Sequence, residues 1–251
     1  MEEEFHNHMR IPWHDYTRKS LGHPITEASL SEKASIIGRT GIMLLSCGTG
    51  AWRVRSSMNT LARELGITCT ADIGLLSIEY TCIDGGDCYT ESLCLFNTGV
   101  NTSKLYRMEL FVNKFATNCK KMSGDELHTL LDQIHEIHGF YSPPFLGLAA
   151  AVACCAFTFL LGGGPTEMFC AFLGAGAGNF LRAKMNQHHL TLFLCTAASV
   201  ALACVVYTIS FMALKSGFDV SIHHQAGYIC SMLFIIPGFP FITSGIDLAK
   251  L

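Results

Sequence analysis

The chain has 251 residues, half of them hydrophobic and only 15% charged, with a net charge of −3. Such a balance argues against a nucleic-acid partner, and the positive mean hydropathy points to a membrane. The average conceals a division near Pro143-Pro144, with most of the charge before it, which predicts two domains.

The amino terminus opens on Glu2-Glu3-Glu4 and has no apolar core of the signal-peptide kind. No cleavable export sequence is expected, and residues 1–142 are expected in the cytoplasm. Six of the twelve cysteines precede the division (Cys47, Cys69, Cys82, Cys88, Cys94 and Cys119), without a C-x-x-C pair. Free thiols are the simplest reading in a reducing compartment. The other six lie in apolar segments, where cysteine packs as a small hydrophobe.

Residues 1–28 are polar, with Pro12, Pro24 and scattered histidines (His6, His8, His14, His23) whose spacing fits no zinc pattern, so they predict a flexible tail. Ser29 and Glu32 have capping-box spacing, and Ile36, Ile37, Met43, Leu44 and Leu45 follow before Gly48 and Gly50 break the pattern. A second helix is expected from Ala51 to Leu65, with Val54, Met58, Leu61 and Leu65 on one face and Gly66 as its stop. The period then changes. Residues 67–71, 75–83 and 88–96 read as strands, the last two joined through Asp84-Gly-Gly-Asp87. Helical spacing returns with Leu105, Met108, Leu110, Val112 and Phe115. Ser123 to Glu126 is a second capping box, before Leu127, Leu130, Leu131, Ile134 and Ile137. The predicted class is therefore an α+β domain over 29–142 (two helices, a small sheet with a hairpin, two helices), followed by a helical membrane domain over 143–251.

That second half contains four apolar segments, at residues 145–161, 168–181, 190–214 and 226–246. The second carries Gly174, Gly176 and Gly178, a spacing that suits close helix contact. The fourth is interrupted by Pro237-Gly238-Phe239-Pro240. Each proline removes a backbone donor, and freed carbonyls at membrane depth need a protein partner or an aqueous cavity, so a discontinuous span near a substrate path is expected. Lys120, Lys121, Arg182 and Lys184 put the soluble domain and the 182–189 loop on the cytoplasmic side, with Lys215 dissenting. Glu167, Asp247, Asn179, Thr243 and Ser244 are polar groups in or beside the spans, where carboxylates are costly and usually face an interior.

No Walker loop, G-x-S-x-G elbow or H-E-x-x-H is present. His128, His135 and His138 share one predicted helix, but a solvated face explains them without a metal. Asp84 and Asp87 need no role beyond the turn. Neither a metal site nor a cofactor is expected.

The ordered set of Gly50-Ala-Trp-Arg-Val54 with Met58 and Leu61-Ala62, Gly99-Val-Asn101, Val112-Asn113, Gly162-Gly163 with Glu167, and Pro237-Gly-Phe-Pro240 with Asp247 resembles the threonine/serine exporter family. The likeness is strongest to the longer half of its two-subunit members, and it runs from about Ser31 onward. It implies a multi-pass plasma-membrane protein that exports small amino acids or dicarboxylates such as succinate. A second small membrane subunit, further copies of the chain and membrane lipid would be its partners. It also implies that Pro237, Gly238, Phe239, Pro240, Asp247 and Glu167 shape the path, to which the polar Thr243, Ser244 and Asn179 at membrane depth are added as path candidates, and that Gly50, Arg53, Asn101 and Asn113 form the soluble domain's signature. There are two departures. Arg55 stands where the family commonly has an acid, and related long halves continue into a further span where this chain ends at Leu251. Two other readings stay open: a membrane-anchored hydrolase, and a regulatory or assembly subunit whose partner forms the path.

Overall fold

The computed structural model describes residues 11–17, 22–95, 99–118, 120–137, 141–188, 190–217, 225–236 and 238–249. Contacts divide the chain into two compact units, Met1–Gly139 with Gly238–Leu251, and Phe140–Pro237. His6, His8, Cys119, His138 and Pro237 lie outside the described residues, as do the side chains of Phe239 and Pro240.

In the first unit, α1 (Leu30–Ser46) begins where Ser29 Oγ accepts from Glu32 N, and α2 (Ala51–Glu64) begins at Gly50, which offers no side-chain cap. Gly66, at φ +72°, ends α2 in the left-handed conformation that glycine adopts at no steric cost. Strands β1 (Thr68–Ile73), β2 (Ser77–Asp84) and β3 (Asp87–Cys94) form an antiparallel sheet in chain order, with Cys69 opposite Cys82 and Ser77 opposite Cys94. Gly85 and Gly86 carry the hairpin with positive φ, as the Asp-Gly-Gly-Asp sequence requires. Asp84 faces Lys33 Nζ at 3.6 Å. The unit continues with α3 (Thr102–Asn118) and α4 (Gly124–His135), whose predicted capping box closes in both directions between Ser123 and Glu126.

Helix α1 is the centre of this unit: Ile36, Ile37 and Leu44 are fully buried, each contributing about 1.5–3 kcal/mol of apolar burial. Tyr80 of β2 is also buried and donates to Glu91 Oε2 at 2.7 Å. Its ring lies so close over Gly38 of α1 that no Cβ fits there. Arg55, the departure from the family pattern, donates through Nε to Ala71 O at 3.2 Å and clamps α2 to β1.

The second unit holds α5 (Pro143–Leu160), α6 (Pro165–Gln187), α7 (Leu192–Gly217) and α8 (Gln225–Cys230), with a 3-10 turn at Leu233–Ile235. Among the described residues, two stretches, Pro143–Leu160 and Leu192–Lys215, are long and apolar enough to cross a membrane. Only 22% of each is buried, so most of their surface is not occupied by a protein core. The glycines of α6 pack as their spacing predicts. A Cβ on Gly174 would stand 2.8 Å from Ala203 O, and one on Gly178 would stand 2.8 Å from Ser199 O, both carbonyls on α7. Gly147 of α5 approaches Gly176 O in the same way.

The fourth apolar segment is discontinuous, as expected. It comprises three pieces: α8, the 3-10 turn, and α9 (Gly238–Ala249), and contacts group α9 with the first unit, whereas the sequence predicts one domain over 143–251. Pro240 falls in the first turn of α9. A missing N–H costs nothing there, so that proline begins a helix instead of breaking one.

Candidate functional site

The first four N–H groups of any α-helix lack intrahelical partners. At the start of α2 they cannot be met locally, because Gly50 has no side chain. Asp247 meets them from α9: its Oδ2 accepts from Ala51 N at 2.9 Å and its Oδ1 from Trp52 N at 3.1 Å. A carboxylate here is also favoured by the positive end of the helix dipole. A Cβ on residue 50 would lie 2.8 Å from both carboxylate oxygens, so glycine is needed for this approach. Beside the contact lies a cavity of about 290 Å³ lined by Thr49, Gly50, Trp52, Arg53, Ile242, Thr243, Ile246 and Asp247. Arg53 Nη1 pairs with Glu109 at 2.8 Å on the exposed side, a pair worth little by itself.

Four of the candidate residues, Gly50, Arg53, Thr243 and Asp247, therefore meet around one cavity within the first unit. Asn113 is exposed and shares a shallow groove with Trp52 and Arg53. Asn101 lies elsewhere and is structural: its Oδ1 accepts from Lys104 N at 3.0 Å at the start of α3, and its Nδ2 donates to Ile137 O. Ser244 and Gly238 are exposed on α9.

Glu167 and Asn179 lie in the second unit. Glu167 is buried in the first turn of α6, where its Oε2 accepts from Gly164 N at 2.8 Å, and its Cβ packs against Gly227 of α8. Asn179 Nδ2 donates to Leu146 O at 2.8 Å, tying α6 to α5. Arg182, read from the sequence only as an orientation signal, donates through Nη1 to Phe234 O at 3.2 Å, satisfying a carbonyl in the irregular stretch after α8.

A second polar cluster in the first unit also went unpredicted. Arg39, buried on α1, donates to Asp132 Oδ1 and to His128 O, with the Trp13 ring 5.7 Å from its guanidinium carbon. His128, expected on a solvated helix face, is instead fully buried. Ser35 Oγ donates to Glu32 O and so accepts from His128 Nε2, which leaves His128 Nδ1 to accept from Arg39 Nη1. Burial, reinforced by the Arg39 charge, pushes the His128 pKa down to about 3 and keeps the ring neutral. His14 takes the opposite part. Its Nδ1 lies 2.6 Å from Asp125 Oδ1 and its Nε2 2.8 Å from Asp132 Oδ2, an arrangement only the doubly protonated ring satisfies by donating twice. The two carboxylate hydrogen bonds raise its pKa above 6.5.

The chain segment 11–17 is thereby strapped to α4 with a defined pH dependence. The contribution of His14 is complete below pH 6.5 and fades as pH rises through its higher folded value. Those of Asp125 and Asp132, whose pKa values are lowered, are complete above pH 3.8 and fade as pH falls through their folded values. The strap is tightest between those limits. Raising the pH from 5.5 to 8.5 should loosen it, read as a change in Trp13 fluorescence in a Trp52→Phe background, and His14→Asn should remove that pH dependence.

Neither the curated proteins nor the solved structures contain a match to this chain. The family model of the threonine/serine exporters matches residues 35–251, a range holding most of α1, the Gly50 motif, the apolar helices α5 to α9 and Asp247. The chain belongs to the threonine/serine exporter family.

Proposed function

We propose that this protein is the long subunit of a multi-pass plasma-membrane exporter of small amino acids, threonine and serine first, with a second small membrane subunit of the same family completing the assembly. The observation that carries the reading is the broken last apolar segment, within which Arg182 answers the Phe234 carbonyl. Irregular backbone at membrane depth persists only where protein or an aqueous cavity receives it. The first unit, apart from α9, is assigned to the cytoplasm, and helices α5 to α8 together with α9 to the membrane domain, in four spans. Residues 237–247 of the last segment, and Glu167 and Asn179 among the helices of the second unit, are assigned to substrate passage. Succinate and other dicarboxylates share the carboxylate group with the amino acids and form the second substrate class to be tested.

Counterflow of labelled threonine, serine and succinate in proteoliposomes, with this chain alone and with a small family partner, tests the reading. Flux is expected with the partner present, and its preference among the three solutes identifies the substrate. Replacing Pro237 and Pro240 together by alanine should abolish flux while membrane insertion is retained. Unchanged flux in that variant would remove residues 237–240 from the path. No flux under any condition, with turnover of a substrate by the purified protein, would replace the transporter with a hydrolase.

A further inference from the structure

We infer that the amino end of α2 is a carboxylate-recognition site and that Asp247 occupies it as a built-in stand-in for a substrate carboxylate. This inference rests on the transporter reading for its substrate class, while the site itself follows from the geometry. Two consecutive N–H groups, of Ala51 and Trp52, each hold one oxygen of the same carboxylate. Oriented backbone donors at a helix start are a general anion-binding device. A cap serving the helix alone needs only a serine or aspartate at position 50. Here that position is a glycine, and the carboxylate arrives from 196 residues away in sequence.

A second observation points to a ligand independently. Thr49 is 5% exposed and lines the cavity beside the carboxylate, and its Oγ1 is buried without a hydrogen-bond partner. An unpaired buried hydroxyl costs free energy, and a ligand bearing further polar groups next to its carboxylate would relieve that cost. Small amino acids have such groups, and the adjoining space of about 290 Å³ is large enough for one. Asp247 and an incoming carboxylate exclude each other, so binding of substrate displaces Asp247 and frees α9 from α2. Occupation by Asp247 lowers the apparent affinity by the fraction of time the site is open.

The test is equilibrium binding of labelled threonine and labelled succinate to the detergent-purified full chain. Asp247→Ala should bind one or both about tenfold more tightly than the unaltered protein, with Asp247→Asn in between, because the amide keeps a single acceptor oxygen. Threonine methyl ester, which lacks the carboxylate, should show no gain. Adding Thr49→Val to Asp247→Ala should reduce the gain for threonine. A lower melting temperature in Asp247→Ala does not obscure the result, since threonine should then raise it and the methyl ester should not. The inference falls if neither Asp247 variant binds a carboxylate more tightly, or if the ester binds as well as the acid. Tighter binding without counterflow keeps the site and removes the transporter reading; counterflow without tighter binding keeps the transporter and removes the site.

Discussion

Gly178→Val is expected to separate α6 from α7 and to lower the melting temperature of the detergent-purified protein by on the order of 5–10 °C. A Cβ at this position meets Ser199 O at 2.8 Å, the Phe234 ring at 2.8 Å and the Ala203 methyl at 2.9 Å. Only the ring belongs to a side chain with any freedom to turn; the carbonyl moves only if α7 moves. Overpacking of this kind costs about 3 kcal/mol. Lipid supplies no hydrophobic drive to restore the contact, since association inside a bilayer depends on close packing itself. Valine leaves the apolar character of the segment unchanged, so insertion should be normal and the defect confined to helix packing.

The control is Gly164→Ala, where an added Cβ has no heavy atom within 4 Å. Gly164 is the N-cap of α6, where alanine is poorer than glycine by up to about 1 kcal/mol, so the melting temperature should fall by no more than about 2–4 °C, less than for Gly178→Val. If both substitutions behave alike, α6 and α7 are not held together through Gly178.

The first unit was legible in advance wherever the controlling physics is local. The serine cap at Ser29, the capping box at Ser123 and Glu126, the Asp-Gly-Gly-Asp turn and Gly66 each determine backbone geometry within four residues, and the helices and strands fall where those signals put them. The α6 glycines were legible for a related reason, because a missing side chain announces a close neighbour without naming it. Pro237 to Pro240 was ambiguous because a proline near the start of a helix and a proline breaking one carry the same letters. What decides between them is the partner of the following helix. Asp247 and Gly50 show the limit more sharply: nothing near either residue encodes a hydrogen bond across 196 positions. The one available sign was a glycine at a helix start with no side chain to cap it.

Arg39 had a sign of its own, a single cation inside the run Ile36 to Leu45, and an interior charge must be paired. Its replacement gives the second large effect. Arg39→Met should destabilise the first unit by about 2–3 kcal/mol, measured by chemical denaturation of the full chain. The substitution removes the donors to Asp132 Oδ1, His128 O and His128 Nδ1 and the cation resting on Trp13. Breaking a fully buried pair by removing one partner costs about 3–5 kcal/mol, but the Asp132 side chain is 45% exposed and regains water, which lowers the figure. Arg39→Lys should recover only part of the loss, because one ammonium cannot reproduce the guanidinium fork that reaches Asp132 and His128 together. The discriminating measurement is a double-mutant cycle with Asp132→Asn. A coupling of about 1 kcal/mol or more places the stabilisation in the pair. Strict additivity would mean that Arg39 acts through its packing against Trp13 and that Asp132 is held by His14 alone.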